Sequence, residues 1–186
     1  CPFNSRLCRT STKCDADWQM RGFKRRRIPF DCMAADPLAG YRVLGFDLET
    51  TGFNHKSHRI VQYALVGCDD DGSSIYLENL VNPQRRIPRE TTNIHGIDDD
   101  DVKGVPTFKE YAPQICEAME GAVIVGHNVD RFDWPFLRSE FLRAGHVMPK
   151  PLAILDTLKI ARKLKIPPSH KRGSLCQQFG RPLHFG

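Results

Sequence analysis

The sequence predicts an α/β fold in which helices pack on a mixed β-sheet. Three strand-like runs come first, and an Asp-Asp-Asp-Gly turn at residues 69–72 joins the second and third runs as a hairpin. Beyond residue 107, stretches with apolar residues at helical spacing alternate with short apolar runs. An antiparallel meander followed by alternating helices and parallel strands gives one mixed sheet.

The strands are identified by apolar or alternating runs that end at turn residues. They are predicted at residues 42–47, 60–68, 74–81, 122–126 and 153–156. Asn82-Pro83 ends the third strand, and the wholly apolar fourth run is typical of a strand buried on both faces. Because ligands in such folds bind near the carboxyl ends of strands, we expect a site where the first strand ends.

Four helices follow from the apolar spacing and from glycine stops. They are predicted at residues 107–120, 133–144, 157–164 and 174–179. The first has apolar residues at helical spacing, namely Phe108, Tyr111, Ile115 and Met119. Pro113 opposes this prediction, because proline lacks the backbone N–H and breaks or kinks a helix interior.

Positive charge is concentrated at the start of the chain. Residues 1–30 carry eight Lys or Arg and two Asp, whereas the remainder is close to neutral. We expect residues 1–40 to be a basic, disordered leader and residues 41–186 to be the folded domain. The Arg- and Ser-bearing leader indicates an organelle transit peptide, and Lys24–Arg27 indicates a nuclear signal or a nucleic-acid patch. A plain solvated tail fits equally well.

Length and composition restrict the class of protein. The chain has 186 residues, of which 40 % are hydrophobic, so one domain with a sizeable core is expected. No membrane contact is expected, because no apolar run approaches the roughly 18 to 20 residues that cross a bilayer. Seven cysteines without a CxxC pair indicate a reducing, intracellular compartment. A zinc site at Cys1, Cys8 and Cys14 is the less favoured alternative, since a fourth local ligand is lacking.

The most informative stretch runs from Phe46 to Gly52, where the first predicted strand ends. Residues two apart on a strand share a face, so Asp47 and Glu49 present two carboxylates side by side. Like charges so close raise each other's pKa unless a cation lies between them, and a hard divalent metal suits that position. The pattern predicts a metal-dependent phosphodiesterase site, with a solvated turn as the alternative.

A second cluster, at residues 126–137, follows the fourth predicted strand and opens a helix. Asp133 is predicted to add a third carboxylate to the metal site, with capping of the helix N-terminus as the alternative. Asp130 is the rival ligand, because the register is open to a shift. His127 and Asn128 are interpreted mainly as shaping the turn, and Asp156 as a structural cap.

A basic and partly aromatic loop follows the first cluster, with Phe53, His55, Lys56, His58 and Arg59. Stacking and phosphate contacts by such side chains would hold a single strand of nucleic acid. An ordinary exposed loop is the alternative interpretation.

These residues resemble the motifs of a known family, the DEDD exonucleases of the DnaQ-like branch, which have the RNase H-like fold. Phe46 to Gly52 resembles the first motif, and Gly126-His127-Asn128 through Phe132-Asp133 resembles the second. Supporting landmarks occur in the expected order at residues 80–83, 94–97, 106–108 and 155–158. The resemblance covers about residues 41–180 and implies a mixed sheet of the RNase H-like type.

The resemblance implies a 3′–5′ exonuclease that uses two Mg²⁺ or Mn²⁺ ions held by Asp47, Glu49 and Asp133. Its partner would be a nucleic acid with a 3′ end, single-stranded or frayed DNA, with RNA left open, and its products nucleoside 5′-monophosphates. The resemblance also implies substrate contacts by Leu48, Thr50, Thr51, Gly52, His95 and Asn128. Core packing is the alternative for Leu48, and His95 is expected in a loop beside the substrate cleft.

The family's third motif, a histidine followed five residues later by an aspartate, is incomplete in this sequence. His184 is the candidate for that histidine, the general base, and the aspartate would then lie beyond Gly186. The sequence as given would then be truncated inside the third motif; alternatively, His184 is incidental, since Gly180 to His184 is a short lead-in to that motif. The alternative is a nucleic-acid-binding or scaffold protein of the same fold without complete catalytic residues.

Overall fold

One mixed β-sheet organises the computed structural model, which describes residues 38–166 and 169–180. Within these residues the sheet has five strands in the order β3-β2-β1-β4-β5. The strands are β1 (Val43–Thr50), β2 (Ile60–Cys68), β3 (Ser74–Leu80), β4 (Val123–Gly126) and β5 (Ala153–Asp156). The first three pair antiparallel, whereas β4 pairs parallel with both β1 and β5. The predicted α/β class and the meander followed by parallel strands are therefore confirmed.

Five helices are found among the described residues. They are α1 (Arg89–His95), α2 (Phe108–Met119), α3 (Asp133–Ala144), α4 (Thr157–Lys163) and α5 (Arg172–Gln178). Helix α2 tolerates Pro113 in its interior and begins with a capping box, in which Thr107 and Glu110 bond to each other's backbone N–H groups. The box and the buried apolar side of α2 together outweigh the single hydrogen bond that Pro113 removes.

Three differences from the predictions exceed one residue. Strand β1 extends to Thr50 rather than residue 47, because β2 continues to pair with it as far as Ile60. Helix α1 was not predicted, since its only apolar residue, Ile94, is exposed and gives no periodic signal. Helix α5 begins at Arg172, two residues before the predicted start.

The hydrophobic core lies on one face of the sheet, against α2 and α3. Leu44, Phe46 and Leu48 alternate along β1 and are buried there. The rings of Phe108 on α2 and Phe141 on α3 meet edge to face at 5.3 Å between centroids. Because side chains alternate along a strand, Asp47 and Glu49 take the opposite face from this core.

Several predictions fall on residues outside the described ranges. They concern the leader up to residue 37, with its targeting signals and the alternative zinc site at Cys1, Cys8 and Cys14, and also His184. Within the described part of the chain, every helix is too short or too polar to cross a bilayer.

Candidate active site

The end of β1 is an open edge of the sheet on the β4 side. Parallel pairing with β4 covers only Val43 to Gly45, because the chain leaves β4 at Gly126. A Cβ at Gly126 would lie 2.7 Å from the Val129 Cβ, so only glycine allows so tight an exit. Beyond that point, no strand of residues 38–166 or 169–180 lies beside the last residues of β1 on this edge, and other groups can approach.

Asp47 and Glu49 lie in the part of β1 that pairs with β2 but not with β4. Both are half-buried. Burial raises the pKa of Glu49, the Asp47 charge raises it further, and the Arg172 charge acts in the opposite direction. The strand therefore presents two carboxylates that repel each other and share one nearby cationic side chain.

Asp133, the first residue of α3, places a third carboxylate at the same strand. Its side chain is 2 % exposed, and its Oδ1 has no hydrogen-bond partner among the described residues. Burial raises the pKa of Asp133 to about 8, and the Asp47 charge contributes to the rise. The backbone N–H groups of Asp133 itself and of Leu48 oppose the rise, so the carboxyl group lies against β1.

Capping does not account for Asp133. The N-cap of α3 is Phe132, and the structure gives α3 no side-chain capping hydrogen bond. The rival Asp130 is engaged elsewhere, because its carboxylate pairs with the Lys159 ammonium group. Metal ligation by Asp133 stays a prediction, and it now concerns a buried carboxyl group with one unpartnered oxygen.

Asp156 and Asn128 build the turn that delivers Asp133 to the site. Asn128 has a left-handed backbone, with φ 67°, and its carbonyl accepts hydrogen bonds from the N–H groups of Arg131 and Phe132. Asp156 caps α4 and also accepts from the Asn128 N–H at 3.0 Å, which confirms its predicted role as a cap. Burial would raise the pKa of Asp156, but four backbone N–H donors outweigh it and lower the pKa.

The turn after β1 uses its hydroxyl groups internally. The Thr50 hydroxyl donates to the Gly52 carbonyl at 2.8 Å, and the Thr51 hydroxyl accepts from the Arg59 N–H at 3.0 Å. The backbone at Gly52 has a φ of 153°, and a Cβ at this position would lie 2.5 Å from the His58 ring. Both features favour glycine here. These residues shape the turn, and their predicted contacts with substrate remain untested.

Two other predicted substrate contacts lie in unexpected surroundings. Leu48 is 5 % exposed and packs in the core, as its alternative interpretation stated. His95 ends helix α1 instead of lying in a loop, because Gly96 terminates the helix in a left-handed conformation. Burial lowers the pKa of His95, while the Thr50 backbone acts to raise it, so the ring lies against the end of β1.

Arg172 was missed in the sequence, because no local pattern marks a single arginine before a short helix. Its guanidinium Nη1 forms an ion pair with Asp47 Oδ2. The same charge opposes the upward pKa shifts of Glu49 and Asp133, so this one side chain acts on all three carboxylates.

The donor set fits a hard divalent cation only in part. Carboxylate oxygens are the ligands that Mg²⁺ and Mn²⁺ prefer, and the buried Asp133 Oδ1 is unused. Among residues 38–166 and 169–180, however, no group of three or more His, Cys, Asp or Glu side chains is arranged to hold a metal. The arrangement shown here places an arginine against Asp47 instead.

A buried ion-pair network fixes the basic loop, residues 51–59, to α3. Arg59 binds Glu140 with two hydrogen bonds of 2.6 and 3.0 Å, and Arg143 binds the same carboxylate at 3.0 Å. Arg143 also donates to the carbonyl groups of His55 and Lys56. Arg59 is thus committed to Glu140, which argues against the predicted phosphate contact by this residue. Glu140 was detectable in the sequence, since it interrupts the apolar side of α3.

Phe53, in contrast, remains available at the start of the same loop. Its side chain is 79 % exposed, and its ring contacts Phe132 at 6.4 Å between centroids. Phe132 precedes Asp133 directly, so an exposed aromatic ring lies beside the acidic site.

A cavity of about 310 Å³ opens beside Asp47. Its polar lining consists of Asp47, His127, Thr157 and Arg172, and its remaining walls come mainly from β1, β2 and β4. The His127 Nδ1 lies 3.0 Å from the Thr157 hydroxyl, which itself donates to the Gly126 carbonyl. His127 is therefore held in place by the turn, as the sequence indicated.

Comparison with known proteins identifies the family to which the chain belongs. The sequence profile of the RNase T family, described as exonuclease, matches residues 44–183. "Exonuclease DPD1, chloroplastic/mitochondrial" of Arabidopsis thaliana is 35 % identical over 130 residues, which are 65 % of this chain and 40 % of that protein. "3′-5′ exonuclease DinG" of Bacillus subtilis is 30 % identical over 122 residues, 65 % of this chain and 13 % of that protein.

Among solved structures, E. coli exonuclease I in complex with a dA16 oligonucleotide is similar, with a TM-score of 0.65. It is 20 % identical, and the alignment covers 76 % of this chain and 36 % of that chain. At this identity the likeness shows the fold, which is RNase H-like. The chain spans between 8 % and 65 % of the length of the similar curated proteins.

Proposed function

Because the chain belongs to the RNase T exonuclease family of the DnaQ-like branch, we propose that it hydrolyses phosphodiester bonds from 3′ ends. The substrate is single-stranded or frayed DNA, RNA being a further candidate, and the products are nucleoside 5′-monophosphates. The 3′–5′ direction is supported by the name of the Bacillus subtilis relative. Binding of DNA is supported by the oligonucleotide complex of exonuclease I.

One observation carries this proposal: the buried carboxyl group of Asp133, whose Oδ1 has no hydrogen-bond partner among the described residues. Leaving a buried polar atom without a hydrogen bond costs about 1–3 kcal/mol, and a fold gains nothing in stability from it. A cation that Asp133 shares with Asp47 and Glu49 would explain why the oxygen is left unpaired. The same cation would counteract both causes of the raised pKa of Asp133, which are burial first and the Asp47 charge second.

The chemistry divides between the chain and its metal ions. Asp47, Glu49 and Asp133 would hold two Mg²⁺ or Mn²⁺ ions, which would lower the pKa of a bound water and stabilise negative charge on the leaving 3′ oxygen. Hydrolysis would join the water oxygen to phosphorus and break the bond between phosphorus and the 3′ oxygen; the water would lose one proton to a base, and the 3′ oxygen would gain one. The loop of residues 51–59, which includes the exposed Phe53, would position the terminal nucleotide. His184 stays the predicted general base and lies outside the described residues.

A second function is favoured by a different observation. In the described residues Arg172 pairs with Asp47, and no group of three ligands is arranged for a metal. A protein that holds this arrangement permanently would bind nucleic acid, or act as a scaffold, without cutting it.

Incubation of the full chain with a 5′-labelled single-stranded oligodeoxynucleotide and Mn²⁺ separates the two functions. The exonuclease predicts a ladder of shortened labelled strands and release of nucleoside 5′-monophosphates. Asp133→Asn should reduce the rate on the order of 10³-fold or more, because the site loses a charged ligand. Asp130→Asn, an exposed neighbour paired with Lys159, is the matched control and should retain the rate within about twofold.

Two outcomes would contradict the exonuclease. Binding of the oligonucleotide without shortening, at any Mn²⁺ or Mg²⁺ concentration, would support the second function. Equal rates for wild type and Asp133→Asn would remove Asp133 from the site and attribute the activity to other residues.

The compartment also remains a proposal. The basic leader predicts an organelle or nuclear destination, and the name of the Arabidopsis relative, chloroplastic/mitochondrial, supports an organelle. Fusion of residues 1–40 to a fluorescent protein would test it, and diffuse fluorescence throughout the cell would contradict both destinations.

A further inference from the structure

Arg172 is the cation that the acidic site contains in this arrangement. Its Nη1 pairs with Asp47 Oδ2, and its charge also acts on Glu49 and Asp133. The guanidinium group is partly exposed, at 36 %, and also lines the cavity beside Asp47. Within the described part of the chain, the Arg172 charge therefore acts on three carboxylates, two of which, Glu49 and Asp133, have pKa values that the Asp47 charge raises.

Arg172 and a metal ion would compete for the same oxygen. A guanidinium group and a hard divalent cation both seek carboxylate lone pairs, and Asp47 Oδ2 is already bound by Arg172. A cation at that oxygen would repel Arg172 at short range. Metal binding at that oxygen therefore requires the Arg172–Asp47 ion pair to break. The free energy of metal binding is then less favourable by the free energy of that ion pair.

Helix α5 is built to permit that movement. None of its seven residues is buried, and its N-cap, Lys171, makes no side-chain capping hydrogen bond. Segments with few buried contacts open at low free-energy cost. Displacement of Arg172 from Asp47 can therefore occur without disruption of the core.

We propose that Arg172 is an internal counter-ion of the catalytic carboxylates that binds Asp47 in the metal-free protein and is displaced when metal binds. The residue thus sets the metal concentration at which the site fills, and it stabilises the fold while the site is empty of metal. This inference rests on the proposed function, because it assumes that Asp47 is a metal ligand.

Calorimetric titration of the full chain with Mn²⁺ tests the proposal, with thermal unfolding in EDTA as the second measurement. Arg172→Gln should bind Mn²⁺ about fivefold more tightly than wild type, as expected for loss of a competing, partly exposed ion pair. In EDTA its unfolding midpoint should fall by about 2–4 °C, and saturating Mn²⁺ should abolish that deficit. The opposite signs of the two effects distinguish a competing cation from a merely structural arginine.

Two variants control for charge and for folding. Lys171→Gln removes the same charge from the neighbouring, exposed position and should leave the Mn²⁺ affinity within about twofold. Arg172→Lys should restore both wild-type values, because it restores the charge. Arg172→Met keeps the aliphatic part of the side chain and serves if the Gln variant does not fold.

Three results would overturn the inference. Unchanged or weaker Mn²⁺ binding by both Arg172→Gln and Arg172→Met would show that Arg172 does not compete with metal. An equal gain in Mn²⁺ affinity for Lys171→Gln would show that the effect comes from net charge and not from the Arg172–Asp47 ion pair. If wild type does not bind Mn²⁺, or if Asp133→Asn binds it as tightly as wild type does, the metal site itself is refuted, and the proposed function with it.

Discussion

Helix α3 carries two buried carboxylates, seven residues apart, that the fold treats in opposite ways. Glu140 is 1 % exposed, and its two oxygens accept hydrogen bonds from Arg59 and Arg143. Asp133 is 2 % exposed, has an oxygen without a partner, and has a pKa raised to about 8 by burial and by the Asp47 charge.

The difference separates a group that serves the fold from one that serves the site. Burial of a carboxylate is tolerated when paired cations and hydrogen bonds satisfy it, as they do at Glu140. Asp133 has no paired cation of this kind, and its Oδ1 has no hydrogen-bond partner among the described residues, so burial of this carboxyl group remains unfavourable. Natural proteins accept such unfavourable burial mainly where a function requires it. One helix therefore fixes the basic loop through Glu140 and places at its other end a buried carboxyl group, for which we propose a role as metal ligand.

Replacement of Glu140 sharpens the comparison most strongly. Glu140→Ala should lower the free energy of unfolding by about 2–4 kcal/mol, because the partly buried Arg59 and Arg143 side chains lose their shared carboxylate. Chemical denaturation monitored by circular dichroism measures the change. Glu117→Ala, on the exposed side of α2, is the control and should change stability by less than about 1 kcal/mol. A comparably small loss for Glu140→Ala would show that the network does not stabilise the fold.

The sequence predicted the position of α3 better than its long-range contacts. The bounds of α3 were predicted to the residue, whereas the role of Asp133 as metal ligand, predicted mainly from the resemblance of residues 126–137 to the second exonuclease motif, stays a prediction. For Arg59 the sequence left open an ordinary exposed loop or a phosphate contact, because nothing local shows its partner 81 positions away. Long-range ion pairs depend on how elements pack, and hydrophobic periodicity carries no information about them.

The same limit explains the remaining differences in fold and site. Strand β1 was predicted too short, since its last residues are polar and are held in the strand by pairing with β2. Arg172 was overlooked for the same reason, because its partner Asp47 lies 125 positions away. Elements with a strong internal pattern, such as β2 and α3, were predicted with their observed bounds.

The pH dependence of stability tests the Asp133 half of the comparison. A carboxyl group whose pKa rises on folding stabilises the protein while protonated, so this contribution is complete below about pH 4 and is lost as the pH rises through 8. In EDTA, wild type should therefore lose about 2–4 kcal/mol relative to Asp133→Asn between those pH values. Urea unfolding at several pH values measures the difference.

A control and a metal titration define the outcome of that experiment. Asp130→Asn should run parallel to wild type, since Asp130 is partly exposed and paired with Lys159. Mn²⁺ at pH 8 should stabilise wild type and leave Asp133→Asn unchanged. Parallel curves for wild type and Asp133→Asn would mean that Asp133 is ionised without cost, and the contrast with Glu140 would be lost.

The basic loop is divided by the same comparison, because Arg143 fixes its second half while Phe53 stays exposed near Asp133. Phe53→Ala should weaken binding of single-stranded DNA by about 1–2 kcal/mol, the contribution of one base stacked on an aromatic ring. Fluorescence anisotropy in EDTA measures this without cleavage. Tyr76→Ala removes another exposed ring, from the edge strand β3, and should leave affinity unchanged. Equal losses for both variants would mean that DNA binding does not distinguish the acidic end of α3 from the opposite edge of the sheet, and the exposed half of the loop would then have no special role in substrate binding.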